Sequence, residues 1–327
     1  MKLFKKAISL ALVLALLALS CVSLASCGDD GKYTIGICQL VTHPALDEAT
    51  KGFKDAVIEA LGEENVTFLE QNAANDLNLC NTIATDFVAK NVDLIMANAT
   101  PALQAAASAT ADIPVLGTSV TEYGVALGIK DFDGLVGGNI SGTSDLAPLN
   151  EQAQMILDLC PDAEKVGLLY CSAEANSKYQ VEEITRILIE KGIKEENIKE
   201  YAFTDSNDVA AVTTVAAENS DVIYVPTDNT VAANTEIINS ICLPKKVPII
   251  AGESGICSGC GIATLSISYY DLGYATGEMA VKILKGEEKI SKMPVQYVSA
   301  EKATKKYNKT NCDALGIAIP EGYTPLG

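Results

Sequence analysis

Three pairs of matching segments divide the chain into two halves of one design. "EENVTF" at Glu63 is echoed by "EENIKE" at Glu195, "VDLIMANATPA" at Val92 by "SDVIYVPTDNT" at Ser220, and "IPVLGTS" at Ile113 by "VPIIAGES" at Val247. The echo runs through a whole domain, far longer than a solenoid unit of roughly 20–50 residues. A duplication on this scale predicts two similar lobes. The 327 residues are enough for two domains, and a hydrophobic content of 48% supplies a core for each.

Within each half, apolar runs alternate with amphipathic segments. "YTIGICQL" reads as a strand, and the helix after it carries Leu46, Ala49, Phe53, Ala56, Val57, Ala60 and Leu61 at helical spacing, with Gly62 as its stop. "VTFLEQ", "VDLIMANA" and "IPVLGTSV" continue the strands of the first half; "KVGLLYCS", "IKEYAFT", "DVIYVPT" and "VPIIAGES" supply those of the second. Strands alternating with helices require crossover connections. The expected fold class is α/β, with two similar doubly wound parallel-sheet lobes. No Pro- or Gly-rich linker separates the halves, so the crossing points are expected to be a three-strand hinge at Asn139–Thr143, Leu265–Ser268 and Pro294–Val298.

The first residues stand apart from this pattern. Lys2, Lys5 and Lys6 form a basic start, and Ile8 to Leu19 is an apolar run too short for a comfortable membrane span. Leu24-Ala25-Ser26-Cys27 then resembles the lipobox of bacterial lipoproteins, which implies a signal peptide over 1–26, lipidation at Cys27 and a tether over 27–32. The formal net charge of −18 disfavours nucleic acid as a partner. Cys38, Cys171 and Cys242 read as small buried hydrophobes. "CSGC" at Cys257–Cys260 is a single C-x-x-C, poor evidence for zinc, and reads as a loop disulfide or two free thiols. Neither metal nor cofactor is expected.

In open parallel sheets, ligands bind beyond the carboxyl ends of the strands. Aligning the repeats pairs Thr100 with Asp228, Ser119 with Glu253 and His43 with Glu174. One lobe thus offers hydroxyls and an imidazole where the other offers carboxylates, an asymmetry that suits a zwitterion. Thr100 before Pro101 reads as a helix N-cap whose free N–H groups attract a carboxylate. Asp228 is aimed at an ammonium, although N-cap of the following helix is an alternative role for it. Asn176 and Asn229 join the site as amides. The strand-end and crossing residues Gln39, Asn98, Thr121, Asn139 and Thr227 complete the candidate set. Trp is absent, so an aromatic ligand would stack on Tyr123, Tyr170, Tyr179 or Tyr269.

"HPALD", "GGNISGTSD", "YVPTDN", "IIAGES" and "ATLSISYYDLGYATGEMA" resemble the substrate-binding lipoproteins of ABC transporters, in the tryptophan/tyrosine-binding group, from about Tyr33 to the C-terminus. The resemblance implies a type I periplasmic-binding-protein fold, with residues 33–140 plus 269–293 in one lobe and 141–268 plus 294–327 in the other. It implies capture of an α-amino acid, an aromatic one, by a lipid-anchored monomer that serves permease subunits at the extracytoplasmic face of the membrane. "VTEYG" at Val120 and the Cys-rich "GICSGCG" depart from related sequences at the side-chain wall. A nucleoside-like ligand, a peptide fragment, or a sensor role toward a membrane receptor are the alternatives. An enzyme built on Cys38 and His43 lacks any oxyanion or nucleophile-elbow motif.

Overall fold

The computed structural model describes residues 32–297 and 302–326. The expected signal peptide, Cys27 and all of the tether but Lys32 lie outside the described residues. Two sheets organise the chain. In the first, β1 (Tyr33–Gln39), β2 (Val66–Asn72), β3 (Leu94–Asn98), β4 (Val115–Val120), β5 (Ile140–Ser144) and β11 (Gln296–Tyr297) lie in the order β11-β5-β4-β3-β1-β2. In the second, β6 (Val166–Cys171), β7 (Ile198–Phe203), β8 (Val222–Val225), β9 (Ile249–Ala251), β10 (Ala263–Ser266), β12 (Thr304–Tyr307) and β13 (Thr324–Pro325) lie in the order β13-β12-β10-β9-β8-β6-β7. The first five strands of each half share one order, so the repeat in the sequence is a repeat in topology. The described pairings are parallel except that of β10 with β12, which is antiparallel.

Strand alternation feeds two cores per sheet. Ile35 and Ile37 of β1 pack with Phe53 on one face, while Cys38 packs with Phe87 on the other. The second sheet is sandwiched likewise, with Leu168 and Tyr224 on one face and Leu169 and Ile223 on the other. Parallel sheets are covered on both faces because their crossover helices must lie there.

The chain crosses between lobes later than the sequence suggests. Residues 140–144 pair with β4 throughout, from Val115 with Ile140 to Val120 with Ser144. The expected boundary at 140/141 therefore falls inside a strand of the first sheet, and the crossing follows Ser144. Gln296 and Tyr297 also pair in the first sheet, against Thr143 and Ser144, so residues 294–297 belong with the first lobe. The helix Tyr269–Leu284 returns to that lobe and packs on the helix Pro44–Leu61. This crossing is close: a methyl on Gly273 would collide with the Ala49 carbonyl, and one on Gly52 with that of Tyr270. Ile317 and Ile319 pack on the second lobe.

Candidate functional site between the lobes

A narrow cavity lies beyond the carboxyl ends of both sheets. His43, Leu46, Ser119 and Thr121 line it from the first lobe; Asn176, Thr227, Asp228, Asn229, Ala232 and Glu253 line it from the second; Asp145 and Tyr269 line it from the crossings. The shared strand order reverses direction between the first and third strands of each half, the point where such sheets take ligands. His43 follows β1 and immediately precedes Pro44, the first residue of its helix.

Ser119 reaches the cavity through an irregular strand. Its φ is +54°, and the β4–β5 register shifts between Gly117 and Val120. A bulge of this kind re-aims a side chain. Ala99, at the end of β3, has φ +94°. Left-handed backbone at two neighbouring strand ends is the strain expected around functional positions.

The acids are buried with almost no solvent: Asp228 is 1% exposed, Glu253 2% and Asp145 3%. Asp228 accepts from the Cys171 amide at 2.6 Å, from the Ser177 hydroxyl at 2.7 Å and from Val231 N at 2.8 Å. It is both the N-cap of the helix Asn229–Ala232 and a wall of the cavity. Burial, and then Glu174, push its carboxyl up to about 8. Glu253 caps the helix Ser254–Gly259 through the Gly255 and Ile256 amides; burial raises its carboxyl and nearby His43 partly offsets that. Asp145 accepts from Thr121 Oγ1 at 2.9 Å and Tyr269 OH at 2.9 Å. Burial pushes it up to about 6 against those two bonds. Among the described lining residues there is no Lys or Arg to neutralise the three acids.

Several polar atoms here have no partner although fully buried: His43 Nδ1, Ser119 Oγ and Asn176 Oδ1 of the cavity lining, and Thr100 Oγ1 and Asn98 Oδ1 behind it. Buried polar atoms are normally paired, so such a cluster calls for an explanation.

Other expected site residues are placed elsewhere. Thr100 is the first residue of its helix rather than the cap; Ala99 holds the N-cap position, and Thr100 does not line the cavity. Gln39 and Asn98 are spent on anchoring the helix Pro44–Leu61. Gln39 accepts from Thr50 at 2.6 Å and donates to Asp47 at 2.6 Å, while Asn98 donates to Leu46 O at 2.8 Å and Thr50 Oγ1 at 2.9 Å. Asn139 precedes β5, at the opposite end of the sheet, where it donates to Thr110 O and Ile113 O. Glu174 is held by backbone and side-chain donors of Asn229 and Thr230 and does not line the cavity. Of the four tyrosines, only Tyr269 lines it. Tyr123 is buried in the first lobe, donating to Thr143 O, and Tyr170 donates to Glu200. Cys38 is buried, and hydrogen bonding to Cys80 with burial pushes its thiol far up, so it offers no thiolate. Cys257 and Cys260 are free thiols. A wider groove along β2 is lined by Lys51, Lys54, Asp55 and Glu70, but these charges already pair with one another.

Residues 34–324 match the family of ABC transporter substrate binding proteins. The chain belongs to that family. The tyrosine-binding protein of Clostridioides difficile (strain R20291) is 38% identical over 264 residues, which cover 80% of this chain and 75% of that protein. An ABC domain from Streptococcus pneumonia in complex with L-Trp is 35% identical, with a TM-score of 0.84 over 90% of this chain and 99% of that one. A ligand-free, open substrate-binding protein with adhesive properties from Clostridium difficile is 38% identical over the same shares, with a TM-score of 0.67. At similar identity the substrate-binding chain described here superposes better on the complex than on the open structure. Direct contacts between its lobes agree with a closed arrangement: His43 Nε2 lies 3.3 Å from Asn229 Oδ1, and Asn75 Nδ2 donates to Thr230 Oγ1 at 3.0 Å. As a family member the protein works outside the cytoplasm. Among the described residues no helix is long and apolar enough to cross a membrane.

Proposed function

We propose that this substrate-binding protein captures an aromatic amino acid between its lobes and presents it to permease subunits, as a monomer lipidated at Cys27 after removal of residues 1–26. One observation carries the reading. Unpartnered buried atoms of His43, Ser119 and Asn176 meet three carboxylates in one closed cavity without a lysine or arginine among its described lining. Asp228, Glu253 and Asp145 favour the ammonium, which relieves their desolvation. The unpartnered hydroxyl of Ser119 suits the α-carboxylate as a donor, whereas the Thr121 hydroxyl is already given to Asp145. Tyr269 and Leu46 offer apolar surface to the side chain. The relatives that bind tyrosine and tryptophan support the ligand class.

Closure follows from the ligand touching both lobes, since it binds the closed form better than the open one. Thermal unfolding with a panel of amino acids and nucleosides tests the class. Ligand at a hundred times its dissociation constant adds about 2.7 kcal/mol of stability. A shift with L-Trp or L-Tyr supports the reading, and a shift with nucleosides alone overturns it.

A further inference from the structure

Glu174 is buried and lies behind the cavity wall, yet it touches every second-lobe group named in the two interlobe hydrogen bonds. Its Oε2 accepts from Asn229 N at 3.1 Å and Asn229 Nδ2 at 2.6 Å; its Oε1 accepts from Thr230 N at 2.9 Å and Thr230 Oγ1 at 2.8 Å. These bonds fix the orientation of both side chains. With the Asn229 amide nitrogen turned to Glu174, its carbonyl Oδ1 faces His43. With the Thr230 hydroxyl hydrogen given to Glu174, its oxygen accepts from Asn75.

The consequence reaches the imidazole. A carbonyl oxygen can only accept, so His43 Nε2 must carry the proton it donates to Asn229. In the neutral ring this leaves Nδ1 as a bare acceptor, and Nδ1 is the buried atom without a partner. We propose that Glu174 is a positioning residue: through Asn229 and Thr230 it sets a two-point latch between the lobes, and through Asn229 it holds His43 as the Nε2–H tautomer whose Nδ1 accepts a hydrogen bond from the bound ligand. The inference rests on capture of an amino acid, whose ammonium supplies the donor.

The chain has a single histidine, so in untagged, 15N-histidine-labelled protein every imidazole signal belongs to His43. Calorimetry with L-Trp and L-Tyr first reads binding itself. With saturating amino acid the ring is expected to be the Nε2–H tautomer, with an Nδ1 signal displaced by hydrogen bonding. Without ligand, opening of the lobes frees the ring to exchange between tautomers. Glu174→Gln keeps one accepting oxygen but turns an amide NH2 against the donors that the other oxygen served, either those of Asn229 or those of Thr230, and is expected to raise the dissociation constant about tenfold, mainly through faster release. It also returns His43 to a tautomer mixture at saturating ligand. Asn229→Ala should reproduce both effects while leaving the Thr230 bonds to Glu174 in place, which guards against a Glu174→Gln variant that fails to fold. Binding heat with His43 unmoved, or as the Nδ1–H tautomer, overturns the proposal. So does a Glu174→Gln variant that loses stability but keeps affinity and tautomer, because Glu174 would then be a helix cap alone. Absence of heat with either amino acid overturns instead the reading on which this one rests.

Discussion

The Tyr269 hydroxyl donates to the Asp145 carboxylate across 2.9 Å, tying together two of the chain's passages between lobes. Asp145 follows β5 and Tyr269 opens the helix after β10, so the bond sits where the lobes pivot. Its second donor, Thr121 Oγ1, belongs to the first lobe. The group that anchors the pivot therefore also forms the floor of the cavity.

Removing the Tyr269 hydroxyl leaves a buried carboxyl with one side-chain donor. Tyr269→Phe is expected to cost about 1–3 kcal/mol in denaturant unfolding and to move the Asp145 carboxyl further above about 6, read by NMR titration. Unchanged stability would show that the bond does not hold the crossing.

Ser119 separates a ligand contact from a structural one. Its hydroxyl is buried without a partner, so Ser119→Ala removes no internal hydrogen bond and keeps the backbone demand of φ +54°. Melting temperature should stay level or rise slightly, while affinity for L-Trp falls about fivefold, the worth of one net hydrogen bond. Loss of stability with unchanged affinity would assign the hydroxyl to the fold.

The raised carboxyls give a pH dependence with a definite sign. Asp228 moves from 3.8 to about 8 and Asp145 from 3.8 to about 6, both chiefly through burial. Between the two values the closed, ligand-free protein holds more protons than the unfolded chain, so its stability falls as pH rises from about 4 to about 8. An ammonium beside the acids removes that penalty. The melting shift caused by L-Trp is thus expected to be larger at pH 8 than at pH 5, and Asp228→Asn should shrink the difference. Equal shifts at both pH values in the parent protein would contradict it.

Topology was open to reading because the duplication is written in strands, and strand patterning survives from one half to the other. Eight of the candidates line the cavity, His43, Ser119, Thr121, Asn176, Thr227, Asp228, Asn229 and Glu253, and all lie at strand ends or the helix starts beside them. The misplacements share a cause. Gln39 and Asn98 also end strands, but Thr50 from the adjacent helix claims their side chains, and no one-dimensional pattern reports that. Asp145 escaped because it lies on a crossing, where its counterpart by position after β10 is Ile267 and the repeat offers no acid to compare. Its only signal was the acid closing "GGNISGTSD". The crossing after Ser144 was hidden for a related reason: the β5 segment "ISGTS" is too polar to look like a sheet strand.

The most direct test of the central claim is calorimetric titration with L-Trp beside its N-acetyl derivative. If the buried acids grip an ammonium, L-Trp binds and N-acetyl-L-Trp, which carries no positive charge, gives no measurable heat. Binding of both with comparable affinity would contradict the account.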